Sequence, residues 1–268
     1  MKILCPTDFS AHSQVALEYA INLANTLDAE IHILSVFQVP KSSTSFVSLD
    51  EVIRKNNEED MSKLIAGLGP LIKDDNLPIS KVVKGATVKS ILQYTDRNNI
   101  DLVVMGTQGS NSLRTVLFGS TTRAVAKSIS TPVLAIPESL QYKLTNNRVI
   151  LALDSKEIGG KDVVAVPVAI AKRLDLKIEI VHIQKHDEII PFDPSISIFL
   201  EDTIGEVHIK PGGNAVAAIK EYAEDSNVGM LIMIRRAKSF FEKLLTVGDT
   251  SAELAQTNVP LMILPESV

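Results

Sequence analysis

The chain has 268 residues, which is enough for one large domain or for two domains of ordinary size. Hydrophobic residues make up 45% and charged residues 22%, and the net charge of −5 argues against a basic nucleic-acid-binding surface. No apolar run reaches the roughly 18 residues of a membrane span, and the start lacks a signal-peptide pattern. We therefore expect a cytoplasmic protein with no nucleic-acid or membrane partner. The single cysteine, Cys5, is expected to be a buried structural thiol.

Short apolar runs alternate with helical patterns along the first half of the chain. Strands are predicted at residues 2–6, 30–37, 79–84, 101–105 and 132–136, and helices near residues 11–27, 49–74, 87–98 and 113–129. The strands are rich in Val, Ile and Leu with little polar alternation, as expected where helices cover both faces of a sheet. This order predicts an α/β fold with a doubly wound parallel sheet and right-handed crossovers.

The second half of the chain repeats the first. Residues 23–28 and 31–36 recur at an offset of 147, and residues 91–94, 101–105 and 131–137 recur at an offset of 128. The missing 19 residues lie between the second and third strands, so the second helix of the second copy is expected to be shortened or lost. We predict two tandem domains, at 1–140 and 147–268, joined by a polar linker.

Three segments of the first copy follow predicted strands at the edge where parallel sheets bind ligands. They are residues 6–10, residues 36–38 and residues 105–123. Gly106 and Gly109 would let backbone N–H groups approach a ligand closely, and the run after Gly119 would offer a helix N-terminus and hydroxyls to a phosphate. Asp8 could accept hydrogen bonds from ribose hydroxyls or lie in the outer shell of a phosphate-bound Mg²⁺.

Each of these features also has a simpler interpretation. A glycine after a strand is often only a turn, Ser10 and Ser13 are typical helix caps, and Asp8 is typical of a helix start. Two observations favour a ligand: the three segments converge on one edge, and the second copy makes the same predicted turn without counterparts of Gly106 and Gly109.

The glycine spacing resembles a known motif. Gly106-x2-Gly109-x9-Gly119-Ser120 follows a strand ending in Val103-Val104-Met105 and is similar to the G-x2-G-x9-G-[S/T] nucleotide motif of universal stress proteins. The opening Pro6-Thr7-Asp8-x-Ser10-x-x-Ser13 and the closing Thr131-Pro132-Val133-Leu134 match as well. The chain therefore resembles a tandem universal stress protein, which implies two Rossmann-like domains of the adenine nucleotide alpha hydrolase type.

The resemblance implies that the first domain binds ATP, with Mg²⁺ as a candidate companion. The residues that it places near adenine, ribose or the site walls are Pro6, Thr7, Asp8, Val36, Met105 and Gly106, and those that it places on the phosphates are Gly109, Gly119, Ser120 and Thr121. It also implies association through the last strand of each domain. In one chain this gives an internal pseudo-dimer, and a further homodimer is compatible with it.

The second copy departs from the motif. Met233-Ile234-Arg235-Arg236-Ala237 replaces the first glycine segment, and Asp249 would put a carboxylate where Ser120 faces a phosphate. We therefore predict that the second domain does not bind ATP in the usual way. Arg235 and Arg236 could capture another anion, but a solvated loop is the favoured interpretation.

Catalytic motifs are missing from the sequence. It contains no G-x4-G-K-[ST] loop, no G-x-S-x-G nucleophile elbow and no H-E-x-x-H zinc motif. His12 could reach the phosphates but is more typical of a surface residue; His32 and His182 are interpreted as equivalent structural residues, and His182 with His186 would give a metal only two ligands. We expect a stress-response regulatory protein that binds ATP, with slow or no hydrolysis. The alternatives are a weak ATPase or related enzyme, and a tandem scaffold that binds no nucleotide.

Overall fold

The structure is a computed structural model, and it describes residues 1–39, 49–73, 76–107, 119–138, 140, 148–153, 158–183, 195–210, 228–236 and 259–266. The strands of the first half are β1 (Lys2–Thr7), β2 (Glu30–Phe37), β3 (Ile79–Lys84), β4 (Leu102–Gly106) and β5 (Val133–Ile136). Its helices are α1 (Ala11–Leu27), α2 (Leu49–Gly67), α3 (Thr87–Asn98) and α4 (Ser120–Ser128). All five predicted strands are confirmed to within one residue at each end.

The second half contains the strands β6 (Arg148–Leu153), β7 (Lys177–Ile183), β8 (Ile204–Lys210), β9 (Val228–Arg235) and β10 (Leu261–Pro265), and the helices α5 (Ala165–Leu174) and α6 (Ser195–Leu200). Helix α6 has six residues, whereas α2 has 19 at the corresponding place in the first half. Residues 184–194 lie outside the described residues, as do residues 141–147 of the linker. The predicted domain limits and the shortened second helix therefore stay predictions.

Two predicted helices differ from the structure at one end. Helix α2 ends at Gly67 instead of residue 74, and a short 3-10 turn over Gly69–Leu71 follows, since Pro70 has no N–H for a helical hydrogen bond. The prediction of a helix over 113–129 was wrong at Gly119, because the backbone there is extended, at φ −53° and ψ 153°. Helix α4 starts at Ser120, and residues 113–118 lie outside the described residues.

The ten strands form one sheet in the order β3-β2-β1-β4-β5-β10-β9-β6-β7-β8. Neighbours within each half are parallel, as the apolar strands predicted. Strands β5 and β10 pair antiparallel, with Leu134 opposite Met262. The last strands of the two halves therefore meet as the resemblance implied, and the carboxyl edges of the halves face opposite ways. A chain-to-chain homodimer stays a prediction.

Buried side chains form one cluster on each face of the sheet, and each cluster contains residues of both halves. One includes Ile3, Leu151 and Leu264, and the other includes Leu4, Ile150 and Ile263. Cys5 is buried in the first cluster, and burial raises the pKa of its thiol to about 12. The predicted structural role of this cysteine is thereby confirmed, since the reactive thiolate is not formed near neutral pH.

Candidate nucleotide site at the carboxyl edge of the first half

The corner between β1 and α1 is built from short hydroxyl side chains. Ser10 is the N-cap of α1, and its Oγ accepts a hydrogen bond from the Ser13 N–H at 3.3 Å. Phe9 has a φ of 61°, in the left-handed region that a bulky residue rarely adopts, and its N–H donates to Thr7 Oγ1 at 3.0 Å. Backbone of this kind persists where the surrounding contacts impose it, and functional sites are common places for it. The predicted cap at Ser10 is confirmed.

Ser13 supports the corner without being the cap. Its hydroxyl donates to the Ser10 carbonyl at 2.9 Å and lies 3.0 Å from Thr7 Oγ1. Because the Ser13 proton is used on Ser10, the Thr7 hydroxyl donates to Ser13. Both side chains are buried. The Thr7 hydroxyl therefore uses its proton on Ser13, and toward a ligand it can act only as a hydrogen-bond acceptor.

Asp8 lies exposed at the same corner. Its Oδ1 accepts the Ser10 N–H at 3.1 Å and the Ser10 hydroxyl at 2.5 Å, which orients the carboxylate at the start of α1. These bonds are compatible with both interpretations of Asp8, as a helix-start residue and as a ligand-binding carboxylate. Pro6 is half-buried one residue before Thr7.

The second part of the site joins the end of β4 to the start of α4. Thr107 N–H donates to the Ile136 carbonyl at 2.9 Å, and Gly119 N–H donates to the Thr107 carbonyl. The buried hydroxyl of Thr122 donates to the Gly106 carbonyl at 2.8 Å. These bonds fasten the first turn of α4 to the carboxyl end of β4. Gly109 lies outside the described residues.

The N-terminus of α4 is arranged to receive an anion. The N-cap is Gly119, which has no side chain to cap the helix, and the first intrahelical bond runs from Arg123 N–H to the Gly119 carbonyl at 3.0 Å. The N–H groups of Ser120 and Thr121 precede that bond, so they have no acceptor within the helix. Ser120 is exposed and Thr121 is half-buried. Oriented N–H groups and the positive end of the helix dipole favour a phosphate here.

The predicted residues share one edge because β1 lies between β2 and β4 in the sheet. Val36 is half-buried near the end of β2, and Met105 is buried near the end of β4. From β1 the chain adds β2 and β3 on one side of the sheet, and it then crosses to add β4 and β5 on the other side of β1. The strand order therefore reverses at β1. Ligands of open parallel sheets bind at such a reversal. The structure thus brings the described candidates together, and which of them bind a ligand stays a prediction.

A pair that the sequence did not predict lies at the same edge. Nδ1 of His12, in the first turn of α1, is 3.2 Å from Oε1 of Glu138, just after β5. The sequence favours His12 as a surface residue, with a reach to the phosphates as the alternative, and it gives no role to Glu138. The two residues are far apart in the chain and no motif connects them, so only the positions of α1 and β5 reveal the pair.

The corresponding edge of the second half contradicts one prediction. Arg235 and Arg236 do not form a solvated loop: Arg236 is 2% exposed, and its Nε lies 3.7 Å from Oε1 of Glu266. Arg235 is half-buried, and its Nη1 donates to the carbonyls of Ala126 and Ile129 at the end of α4. The prediction failed because it considered the loop alone, whereas the antiparallel join places it against the first half. Asp249 lies outside the described residues.

The two strand histidines are buried, but they are not equivalent. His32 pairs with Leu4 in the sheet, whereas His182 pairs with Leu153 at the strand end. Nε2 of His32 lies 2.6 Å from Glu30 Oε1, and its Nδ1 lies 2.9 Å from the Tyr94 hydroxyl. His32 is therefore a structural residue, as predicted.

Among the described residues, there is no group of three or more His, Cys, Asp or Glu side chains that could hold a metal ion. His186, the second half of the candidate metal pair, lies outside those ranges. The described helices include none that is long and apolar enough to cross a membrane.

Comparison with known proteins gives a consistent result. The sequence model described as the universal stress protein family matches residues 1–137. A curated universal stress protein of Methanocaldococcus jannaschii is 28% identical over 141 residues, covering 50% of this chain and 81% of that protein. One from Bacillus subtilis is 24% identical over 145 residues, covering 50% and 97%. The crystal structure of a universal stress protein from Archaeoglobus fulgidus covers 99% of this chain and 96% of its own, with a TM-score of 0.74 and 20% identity.

Proposed function

Because the chain belongs to the universal stress protein family, we propose that it is a regulatory protein of the stress response that binds one ATP at the carboxyl edge of its first half. The observation that carries the proposal is the N-terminus of α4, whose N-cap Gly119 has no side chain and whose first turn is fastened to the end of β4 next to the strand-order reversal. An anion there would accept hydrogen bonds from the N–H groups that the helix leaves without partners.

The remaining parts of the nucleotide are assigned by position along the edge. Phosphates would lie on Gly119, Ser120 and Thr121, and the ribose would lie near Asp8, whose carboxylate can accept hydrogen bonds from sugar hydroxyls. The base would lie toward the ends of β2 and β4, near the backbone of Val36 and beside Met105. A Mg²⁺ ion would arrive with the phosphates and be contacted by Asp8 through water.

We propose binding with slow or no hydrolysis. The sequence has no P-loop lysine to neutralise charge on a transferring phosphoryl group. Among the described residues, the contact between His12 and Glu138 favours the alternative of a weak ATPase, because an imidazole beside a carboxylate can act as a general base. Timed ADP formation by the wild-type chain and by His12→Gln tests this alternative.

The proposal is tested by ATP binding to the full chain at equilibrium, measured by calorimetry. Gly119→Val should weaken binding by about tenfold or more, since a branched side chain at the N-cap would crowd the phosphate position and each lost charge-assisted hydrogen bond costs about 1.5–3 kcal/mol. Gly109→Val tests the second glycine of the motif in the same way. Gly69→Val is the matched control, because an added Cβ there meets nothing within 4 Å.

Two outcomes would count against the proposal. If the wild-type chain carries no nucleotide through purification, as judged by mass, and binds no added ATP, the scaffold alternative stands. If Gly119→Val binds ATP as tightly as the control does, the phosphate position is wrong.

A further inference from the structure

We propose that Arg235 is a positioning residue through which the second half holds α4 and thereby raises the affinity of the nucleotide site in the first half. The inference rests on the proposed function, since it concerns the same site. Arg235 ends β9, and its Nη1 donates to the Ala126 carbonyl at 2.7 Å and to the Ile129 carbonyl at 2.8 Å.

These two carbonyls are acceptors that the helix itself cannot satisfy. The last helical bond of α4 runs from Ile129 N–H to the Val125 carbonyl at 3.0 Å, and Ile129 itself has extended backbone. The final carbonyls of a helix therefore need partners from outside. A guanidinium supplies two donor directions and a positive charge, which also complements the negative end of the helix dipole.

Helix α4 is short enough for a contact at its carboxyl end to affect the position of its N-terminus. Helix α4 has nine residues and is about 13 Å long. Its far end carries the N–H groups of the proposed phosphate site, fastened through Thr122 to the Gly106 carbonyl. Val125, Ala126 and Ile129 are buried against the sheet, so the helix has little freedom to bend. A shift of the carboxyl end would therefore move or tilt the N-terminal turn.

The repeat relates Arg235 to the glycine segment of the first copy. At the offset of 128, Arg235 corresponds to Thr107 in the glycine segment of the first copy. Because β5 and β10 are antiparallel, the carboxyl end of β9 lies beside the carboxyl end of α4. The segment of the second copy that has no glycines therefore contacts the intact half, at the helix whose N-terminus carries the proposed phosphate site.

The chain provides a matched control for this contact. Arg173 at the end of α5 donates to the Thr26 carbonyl at 3.3 Å and to the Asp28 carboxylate, at the end of α1. It too joins the second half to the end of a first-half helix. The side chains of Arg173 and Asp28 are 55% and 68% exposed, however, and an exposed pair of this kind contributes little.

The experiment compares Arg235→Gln, Arg235→Lys and Arg173→Gln with the wild-type full chain. ATP affinity is measured well below each melting temperature, and amide exchange is followed at residues 119–123 in the absence of nucleotide. Arg235→Gln should bind ATP about five- to tenfold more weakly, at the low end of ordinary coupling between sites, and should exchange faster at those amides. Arg235→Lys should recover most of the affinity, and Arg173→Gln should match the wild type.

Unchanged ATP affinity in a folded Arg235→Gln chain would overturn the inference, even if that chain melts at a lower temperature. If Arg235→Gln does not fold, amide exchange of the wild-type chain is the test. ATP should then slow exchange of the Ile129 amide at the far end of α4, and an unchanged rate there overturns the inference. If the wild-type chain binds no ATP, the proposed function fails. Unchanged exchange at residues 119–123 in unliganded Arg235→Gln would then overturn the coupling itself.

Discussion

Thr122 shows how a single buried hydroxyl fixes the position of the candidate site. In the sequence it belongs to a run of three hydroxyl residues, which was interpreted as a set of phosphate donors. The structure separates the run: Ser120 is exposed, Thr121 is half-buried, and Thr122 is buried with its hydroxyl on the Gly106 carbonyl. Thr122 therefore supports the site from within the protein instead of facing a ligand.

We expect Thr122→Val to lower the free energy of unfolding by about 1–2 kcal/mol, because it removes a part-buried hydrogen bond and the Gly106 carbonyl loses that donor. Urea denaturation followed by circular dichroism measures the change. Thr26→Val is the control, since Thr26 makes a bond of the same kind and length, 2.8 Å to the Asn22 carbonyl, on an exposed helix face. Equal losses in the two variants would show that burial of the Thr122 bond is unimportant.

Polar side chains connect three neighbouring strands of the second half. Arg148 on β6 donates from Nε and Nη2 to the two oxygens of Glu179 on β7, at 2.8 and 2.9 Å. Nε2 of His208 on β8 lies 3.3 Å from the same carboxylate. The hydrogen bonds from Arg148 hold the pKa of Glu179 below its ordinary value of 4.5. A carboxylate with a lowered pKa stabilises the fold above its ordinary pKa, and the stabilisation is lost as the pH falls through the lowered value.

Glu179→Gln should therefore lower the free energy of unfolding by about 1–2 kcal/mol at neutral pH, where the wild-type carboxylate is charged. The difference from the wild type should shrink as the pH falls below the ordinary value of 4.5 and through the lowered pKa. Denaturation curves at several pH values measure both effects. Glu201→Gln is the comparison. Lys161 and Lys172 lower the pKa of Glu201 to about 2, but these ion pairs are exposed. Their contribution to the free energy of unfolding should therefore fade in high salt. If the stability difference between Glu179→Gln and the wild type does not change with pH, the link between the lowered pKa of Glu179 and stability is wrong.

At the level of elements, the sequence was most informative where signals are local. Apolar runs predicted every strand of the first half, and the glycine spacing identified the edge that carries the candidate site. The contacts of Arg235, and of His12 with Glu138, could not be predicted, because each depends on how distant elements are placed. The general preference of charged residues for exposure misled the interpretation of Arg235, since it suggested a solvated loop where the join places a helix end.

The molecule as a whole is organised around one continuous sheet. Both buried clusters cross from one half to the other, so neither half has a separate hydrophobic core among the described residues. The β5 and β10 ladder lies at the centre of the sheet order and is covered on both faces. The two repeats should therefore behave as one cooperative unit, although each resembles a separate domain in sequence.

We expect a single unfolding transition for the full chain, with agreement between tyrosine fluorescence and circular dichroism. Met262→Lys should lower the stability of the entire chain by about 3 kcal/mol or more, because it puts a charge at a fully buried position opposite Leu134. Ile198→Lys, at a side chain that is 72% exposed, is the control. Two separate transitions, or a loss confined to one of them in Met262→Lys, would show that the halves unfold independently.

The strand order also determines where the sheet stops growing. Pairing β5 with β10 uses two strands that would otherwise be edges, so the outermost described strands are β3 and β8. Both carry charged side chains, Lys81 and Lys84 in β3 and Glu206 in β8, beside exposed apolar residues such as Ile79 and Ile209. Charged side chains on an outer strand disfavour the pairing of a further strand, and natural sheets limit edge-to-edge association in this way. The join at the centre thus buries the apolar strands β5 and β10 and leaves charge-bearing strands at both ends of the described sheet.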